Sequence, residues 1–332
     1  MRIIKPSVTL LSPIPSTEEI DLLKRIEECG RICYKSEDKI TEDSCVKFVE
    51  GLIKRGHEAV LEHASLIYQV DTHTAERFVG SRDYLEESTG FDRFLRFTSE
   101  EGRHIVSGNI RAWRDFMHAY RMWAGFLPWF TQHIVQRYPV LFPEFRDASF
   151  EEYRRIKVSA VQLHPDELVT PLEKLVHCDR TVIYTCDRGV THEIVRHRPA
   201  SYCQESTRYC NYSGDKFGNE ITVIEPCYLD ESKHFLPYSA WADACQNAEN
   251  QYFNMLKSGR SPQEARAVLP NSLKTELAMT TNLKEWRHFL KLRCAPGAHP
   301  QMREVACQLP ERFHKEEPDL FEDVYAEVHG ES

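Results

Sequence analysis

The sequence predicts an α+β protein, and three observations carry that reading. Capped amphipathic stretches with helical spacing recur from Ser16 to beyond Pro300. Short runs with strand character, such as 64–70 and 181–185, stand between them. The composition, 41% hydrophobic and 28% charged over 332 residues, is that of a globular chain of one large or two ordinary domains.

Bulk properties exclude several function classes. A net charge of −9 gives no global field for nucleic acid, so any anion site must be a local basic pocket. No apolar run approaches a membrane span, and Met1-Arg2-Ile3-Ile4-Lys5-Pro6 lacks the core of a signal peptide. The 11 cysteines are scattered, odd in number and never spaced Cys-x-x-Cys. They read as reduced thiols of a cytoplasmic protein, with neither a disulfide framework nor a zinc site. No internal repeat or low-complexity tract stands out.

Element by element, Ser16 with Glu19 forms a capping box, and Ile20, Leu23 and Ile26 give the helix behind it an apolar face. A second helix carries Cys45, Phe48, Val49, Leu52 and Ile53 on one side and stops at Gly56. His57-Glu58-Ala59-Val60-Leu61-Glu62-His63 lacks the His-Glu-x-x-His spacing of zinc proteases, so no metal is assigned to it. A strand follows over 64–70. Ser107-Gly108-Asn109 is a cap signal for a helix with Ile110, Trp113, Phe116, Met117 and Tyr120 on one side. Aromatics at that spacing are a buried face before they are a ligand box. Arg103 and Arg111 flank the cap and read as solvated charges, with a phosphate contact as the alternative. Residues from Tyr138-Pro139 to Pro143 and Asp147 form an irregular connector.

A strand over 181–185 resumes the pattern, and Asp187-Arg188-Gly189-Val190 leads into a helix spanning 190–198. A short strand over 220–225 ends at Pro226, and a long helix runs over 238–257. Ser261-Pro262-Gln263-Glu264 combines a Ser cap, Pro at the first helical position and a closing Glu, opening a helix that stops at Pro270. A strand over 272–281 hands over to Asn282, which caps a helix buried through Leu283, Trp286, Phe289 and Leu290 and ended by Arg293. A final helix starts near Pro300 with Met302, Val305 and Leu309 inward.

The chemistry concentrates at Arg196-His197-Arg198-Pro199-Ala200-Ser201-Tyr202-Cys203-Gln204-Glu205-Ser206-Thr207-Arg208-Tyr209. Two guanidiniums and an imidazole at consecutive positions repel one another unless an anion lies among them, and a guanidinium fork suits phosphate and carboxylate oxygens. Pro199 turns the chain out of the helix. The loop then offers Ser206, Thr207 and Arg208 for a second phosphate. The alternative is a basic helix end, balanced by its own dipole and by Asp187, Glu193 and Glu205.

Arg196, His197, Arg198, Ser201, Ser206, Arg208 and Tyr209 together resemble the signature of the flavin-dependent thymidylate synthases. Ala265-Arg266-Ala267-Val268-Leu269-Pro270, then Thr281-Asn282-Leu283 and Phe289-Leu290-Lys291-Leu292-Arg293, form a second match, and His57-Glu58 with Leu61-Glu62-His63 a third. The resemblance covers roughly 17–70 and 181–310. It implies an α+β fold with a central, mainly antiparallel sheet flanked by helices. It also implies a single domain over 1–332, interrupted at about 71–178 by a largely helical segment that compact members lack.

The resemblance further implies reductive methylation of dUMP to dTMP, with FAD as cofactor and methylenetetrahydrofolate and NADPH as co-substrates. By motif position, His57, Ala59 and Glu62 line the flavin ring, and Arg196, His197, Arg198 and Gln204 also contact FAD. Asn282, Lys284 and His288 meet its adenosine side. Glu193, Arg196, Gln204, Glu205, Ser206, Thr207, Arg208, Arg266 and Arg293 hold dUMP, and Arg293, with His57, is the catalytic assignment: it stabilises the uracil as its N3 anion. A homotetramer with shared sites is implied, and neither nucleic acid, membrane nor metal is a partner. The chain departs from the pattern at Glu193, Ala59, Cys203 and Gln204. Since the family needs no enzyme nucleophile, Cys203 reads as a structural thiol or a loop contact, and Cys33 as a buried structural one. The rival reading is a flavin- or nucleotide-binding paralogue without turnover, its inserted segment recruited as an interaction module.

Overall fold

The computed structural model describes residues 1–76, 78–79, 94–120, 128–146, 159–214 and 217–330, with backbone alone at 119–120 and 128–131. Asp147 therefore lies outside the described residues. The strands in chain order are β1 Arg2–Ile4, β2 Ser7–Leu10, β3 Ser65–Val70, β4 Leu95–Glu100, β5 Arg103–Asn109, β6 Ala160–Leu163, β7 Asp179–Asp187, β8 Ser201–Gln204, β9 Thr222–Ile224 and β10 Lys274–Asn282. β7 and β10 pair antiparallel along their full length, from Asp179↔Asn282 to Asp187↔Lys274. β2 flanks β7 and β8 flanks β10, giving the order β2-β7-β10-β8. The α+β class and the antiparallel character are as expected.

The sequence reading has one central sheet, whereas the described residues form two four-stranded sheets and a small parallel pair, β1 with β9. The second four-stranded sheet, β4-β5-β3-β6, is also antiparallel, and three of its four strands lie within 71–178. That segment holds the expected helix, but its strands escape sequence reading. Its hairpin turns on Glu101 (φ 51) and Gly102 (φ 79), a pair of left-handed residues of the kind that suits the strand twist. Glu-Gly is a weaker signal for that turn than Asn-Gly or Asp-Gly. Ser107 and Gly108, expected at a cap, belong to β5, and Asn109 alone caps the helix, its Oδ1 accepting from the Ala112 amide at 2.8 Å. Gly108 is needed there: a Cβ would stand 2.6 Å from Leu95 Cδ2 and 3.2 Å from the Phe94 carbonyl oxygen. Ile67, Ile105 and Leu163 of this sheet share one core with Val182 and Leu277 of the other. The two sheets are thereby joined face to face by apolar burial.

Helices pack on both. α1 (Glu19–Tyr34) and α2 (Ser44–Lys54) bury Leu23, Ile26, Val49 and Leu52. The capping box expected at Ser16 does not form. Helix α1 begins later, with Glu18 at the cap position, and the Ser16 hydroxyl donates to Asp21 at 2.5 Å. Glu19 is drawn away instead to accept the Val140 and Leu141 amides at 2.8 and 3.0 Å. α3 (Ile110–Tyr120), α4 (Pro128–Arg137) and α5 (Pro171–His177) follow within or beside the second sheet. Trp113, Phe116 and Met117 are buried, which settles the aromatic stripe as core.

α6 is shorter than expected, Arg188–Ile194, and α7 (Phe235–Lys257) and α8 (Pro262–Ala265) come next. α9 (Leu283–Arg293) begins at the predicted Asn282 cap, whose Oδ1 accepts from the Glu285 amide at 2.9 Å. Its Trp286 is fully buried and donates Nε1 to the Arg180 carbonyl at 3.0 Å. The expected final helix is three, α10 (Pro300–Ala306), α11 (Pro310–Glu316) and α12 (Pro318–His329), because Pro310 and Pro318 each end one run and open the next. No helix among the described residues is long and apolar enough to cross a membrane.

Two buried imidazoles make the fold acid-sensitive. Burial pushes His63 and His177 each down to about 3. His177 sits between the Thr98 and Ser107 hydroxyls at 2.8 and 2.7 Å, a neutral site for both ring nitrogens. A folded pKa below the unfolded value near 6.5 means that the unfolded chain binds more protons. Their contribution is complete above pH 6.5 and is lost as pH falls toward 3. The urea midpoint should therefore fall steadily below pH 6.5, and a flat profile down to pH 4 would contradict this account.

Candidate active site

The basic helix end is built from two directions. Asp187 caps α6, its Oδ1 accepting from the Val190 amide at 2.8 Å, while its Oδ2 accepts from Gln301 Nε2 at 2.9 Å. Beyond Ile194 the chain leaves the helix, and the Arg198–Pro199 peptide is cis. Arg293, in the last turn of α9, reaches across to this end. Its Nε donates to His197 Nε2 at 2.8 Å, Nη1 to Glu193 Oε2 at 2.9 Å and Nη2 to the Glu193 carbonyl at 3.1 Å. Burial, reinforced by Arg293, pushes His197 down to about 4, so it is neutral at pH 7. Because Nε2 accepts from a guanidinium, the ring proton lies on Nδ1.

The three consecutive cationic positions diverge, as their spacing requires. Arg198 folds back, donating Nη1 to the Val195 and His197 carbonyls, and lies 5.1 Å over the Tyr202 ring. Tyr202 fixes the same turn by donating to the Ile194 and His197 carbonyls at 3.0 and 2.8 Å. Arg196 is exposed, and its guanidinium pairs with no described residue. The salted-helix-end alternative therefore accounts for Arg293 and Glu193 but not for Arg196.

The loop after β8 is held from beneath. Gln204 Nε2 donates to Thr191 at 3.1 Å and Thr275 at 3.4 Å. Glu205 is buried, with Lys274 Nζ at 2.9 Å, and Lys274 continues to Glu276 at 2.6 Å and thence to Lys35 at 2.6 Å. The Ser206 amide donates to the Cys33 carbonyl at 3.2 Å, tying the loop to the end of α1. Thr207 is buried and Arg208 exposed. Arg208 stacks on Tyr209 at 5.6 Å, Tyr209 meets Tyr34 at 5.4 Å, and the Tyr34 hydroxyl lies 3.1 Å from His57 Nδ1. His57 and Arg208, far apart in sequence, are thus linked by two aromatic rings.

The remaining candidates fall in three places. Ala59 is exposed, and Glu62 lies in the same short helical turn, held by Arg111 Nη1 at 2.7 Å and the Ser201 hydroxyl at 2.8 Å. Asn282 donates to the Val176 carbonyl at 3.2 Å, Lys284 is exposed, and the His288 ring stands 6.1 Å from that of His197. Arg266 is exposed on the turn Arg266–Val268 and contacts none of these groups. Neither flanking arginine of the inserted helix is simply solvated: Arg103 pairs with buried Glu173 at 2.8 Å, and Arg111 with Glu62. Sequence reading passed over Tyr34 and the Arg111–Glu62 pair, since nothing local marks a partner so distant in the chain.

Cys203 is 2% exposed, and its thiol is pushed well up by its hydrogen bond with Cys33 and by burial. That suits a packing role, and Cys203→Ser should keep activity within about threefold, as a change of well under 1 kcal/mol would. An inactive variant that still folds would reopen the nucleophile. Among the described residues no group of His, Cys, Asp or Glu side chains is disposed to hold a metal.

Comparison with known proteins places this arrangement. The family model described as Thy1, thymidylate synthase complementing protein, matches residues 169–319. The flavin-dependent thymidylate synthase of Pyrococcus furiosus is 30% identical over 170 residues, 50% of this chain and 68% of that protein. That of Thermococcus kodakarensis is 31% identical over 168 residues, 50% and 67% of the two chains. That of Pyrococcus abyssi is 34% identical over 132 residues, 40% of this chain and 52% of that protein, so the chain spans about half the length of this relative. A UMP/dUMP methylase from Streptomyces cacaoi, solved with 5-Br dUMP bound, aligns over 98% of this chain and 97% of that one at 15% identity and a TM-score of 0.42, too loose a superposition to bear on the site. The two broad matches at 30 and 31% identity are decisive, and the chain belongs to the flavin-dependent thymidylate synthase family.

Proposed function

We propose that the chain methylates dUMP to dTMP, using FAD, with methylenetetrahydrofolate as carbon donor and NADPH as reductant. The observation that carries this reading is the anchored Arg293. Three hydrogen bonds to Glu193 and neutral His197 fix its guanidinium beside the exposed Arg196. A charge held in place before reaction can stabilise an anion developing on a pyrimidine without reorganising.

The donor set fits the two phosphorylated ligands. Arg196, Lys284 and His288 present exposed basic groups around α6 and α9, which suits a dinucleotide such as FAD. When bound and reduced by NADPH, the flavin would supply the reducing equivalent. Ser206, Thr207 and Arg208 offer two hydroxyls and a fork to the dUMP phosphate, with Gln204 and Glu205 shaping the loop from below. His57 and Ala59 complete the flavin side. Arg266, exposed and apart from the cluster, suits a site completed by a neighbouring subunit, in keeping with the homotetramer that the family resemblance implies. We read 1–332 as one domain interrupted at 71–178, and eleven free thiols suit a reducing cytoplasm.

Purified protein should be yellow and should release tritium from C5-labelled dUMP only when folate and NADPH are both supplied. Yellow protein that binds dUMP without tritium release would favour the non-catalytic paralogue. Colourless protein that binds neither ligand would sink the proposal.

A further inference from the structure

The inserted segment has no assigned role, and its side chains meet the candidate flavin side of the site directly. A recess there is lined by Glu62, Ser201 and Asn282 together with Phe94, Arg96 and Asn109 of the inserted segment. Arg96 of β4 grips Asp179 with both terminal nitrogens, at 2.6 and 2.7 Å. Its Nη1 also donates to the Val176 carbonyl at 2.8 Å, the acceptor that Asn282 uses as well. The second sheet is therefore bonded to the root of β7 and to the end of α5, whose Val176 carbonyl it shares with the Asn282 cap of α9.

Arg111 makes the second connection. It stands in the first turn of α3, two positions after Asn109, and donates Nη1 to Glu62 Oε1 at 2.7 Å. Ser201 of the signature donates to the other oxygen of the same carboxylate at 2.8 Å. The Glu62 side chain is 12% exposed and that of Arg111 43%. A carboxylate so enclosed is costly without a partner, and left unpaired it would oppose any negative charge arriving beside it. Asp115 lies 3.6 Å from Arg111 Nε, on the side away from Glu62, and helps to aim the fork.

We propose that Arg111 is a positioning residue for the flavin side of the site, fixing and neutralising Glu62, and that β4, β5 and the first turn of α3 form a wall of that site. This rests on the function proposed above and extends it, because it assigns FAD contacts to a wall that compact family members must build otherwise. These elements are then part of the ligand site and not an appended interaction module.

The test uses the full-length holoenzyme. Arg111→Ala should weaken FAD retention by about tenfold, the loss of one charge-assisted hydrogen bond. It should also shift the visible absorbance maximum of the bound flavin and leave the dUMP dissociation constant within about twofold. A purely structural salt bridge would lower the melting temperature without moving the flavin spectrum. Arg111→Lys, which keeps the charge, should recover most of the FAD affinity and guards against an alanine variant that fails to fold. In a Glu62→Gln background, Arg111→Ala should cost nothing further. Unchanged spectrum and FAD affinity in both Arg111 variants, with yellow and active wild type, overturns this proposal alone. A wild type that binds no flavin and releases no tritium overturns it together with the proposed function.

Discussion

Arg293→Ala is expected to lower thymidylate formation by more than a hundredfold while FAD stays bound. Removing one fixed transition-state donor costs roughly 3 kcal/mol, and here the donor is unusually well fixed. Its Nε, Nη1 and Nη2 are each committed to Glu193 or His197. The fold should survive, because α9 is held by Leu283, Trp286, Phe289 and Leu290, all buried, and not by its last residue. Arg293→Lys is no rescue. An ammonium has one point of attachment where the guanidinium has a fork, and it cannot satisfy Glu193 and His197 together. The measurement is single-turnover dTMP formation beside the flavin absorbance of the same sample. Turnover near wild type in the alanine variant would remove the central assignment.

The departure at Glu193 gains a meaning from this geometry. Where the family pattern often has an amide, this chain has a carboxylate, and it forms a direct ion pair with Arg293 at 2.9 Å. The pair would share the guanidinium with the pyrimidine proposed to bind there. Glu193→Gln should therefore loosen Arg293 and tighten or weaken dUMP by less than about tenfold, since the pair is partly exposed and screened. A larger change would show that Glu193 itself touches the nucleotide.

What was legible in the sequence was local. Asn282 capping a helix, Pro262 opening one, and the strand from 274 onward are each decided within a few residues. The signature loop was legible because its chemistry is contiguous from Arg196 to Arg208. The second four-stranded sheet was not, because β4 and β5 are marked only by a Glu101-Gly102 turn, and β5 and β6 each pair with β3 across long stretches of chain. The same limit hid the inner partners of the site. Lys274 beneath Glu205, Tyr34 between His57 and Tyr209, and Arg111 on Glu62 each join segments that only the folded chain brings together. Conversely, the three helices after 300 were legible and missed: Pro310 and Pro318 each end a helical run by removing an amide donor.

Arg196 and Arg208 should separate the two ligands that the loop is proposed to hold. Both guanidiniums are exposed, and they leave the chain on either side of β8. Arg196 sits next to His197, which the Arg293 anchor holds, at the proposed junction of the flavin and nucleotide positions. Arg208 sits beyond the turn tied to Cys33, stacked on Tyr209 and away from that junction. Arg196→Ala should then weaken FAD retention and dUMP affinity together, whereas Arg208→Ala should weaken chiefly dUMP. A charge-assisted phosphate contact is worth about 1.5–3 kcal/mol, so each affected affinity should fall more than tenfold. A purely solvated helix end predicts the reverse pattern, with both affinities intact. Neither side chain pairs with a described acidic group, so neither variant should lose much thermal stability. Titration with dUMP, followed by flavin fluorescence and by a direct calorimetric measurement, separates the outcomes. Unchanged dUMP affinity in Arg208→Ala would show that the phosphate lies elsewhere, and an Arg196 variant that loses only one ligand would place the junction on Arg293 alone.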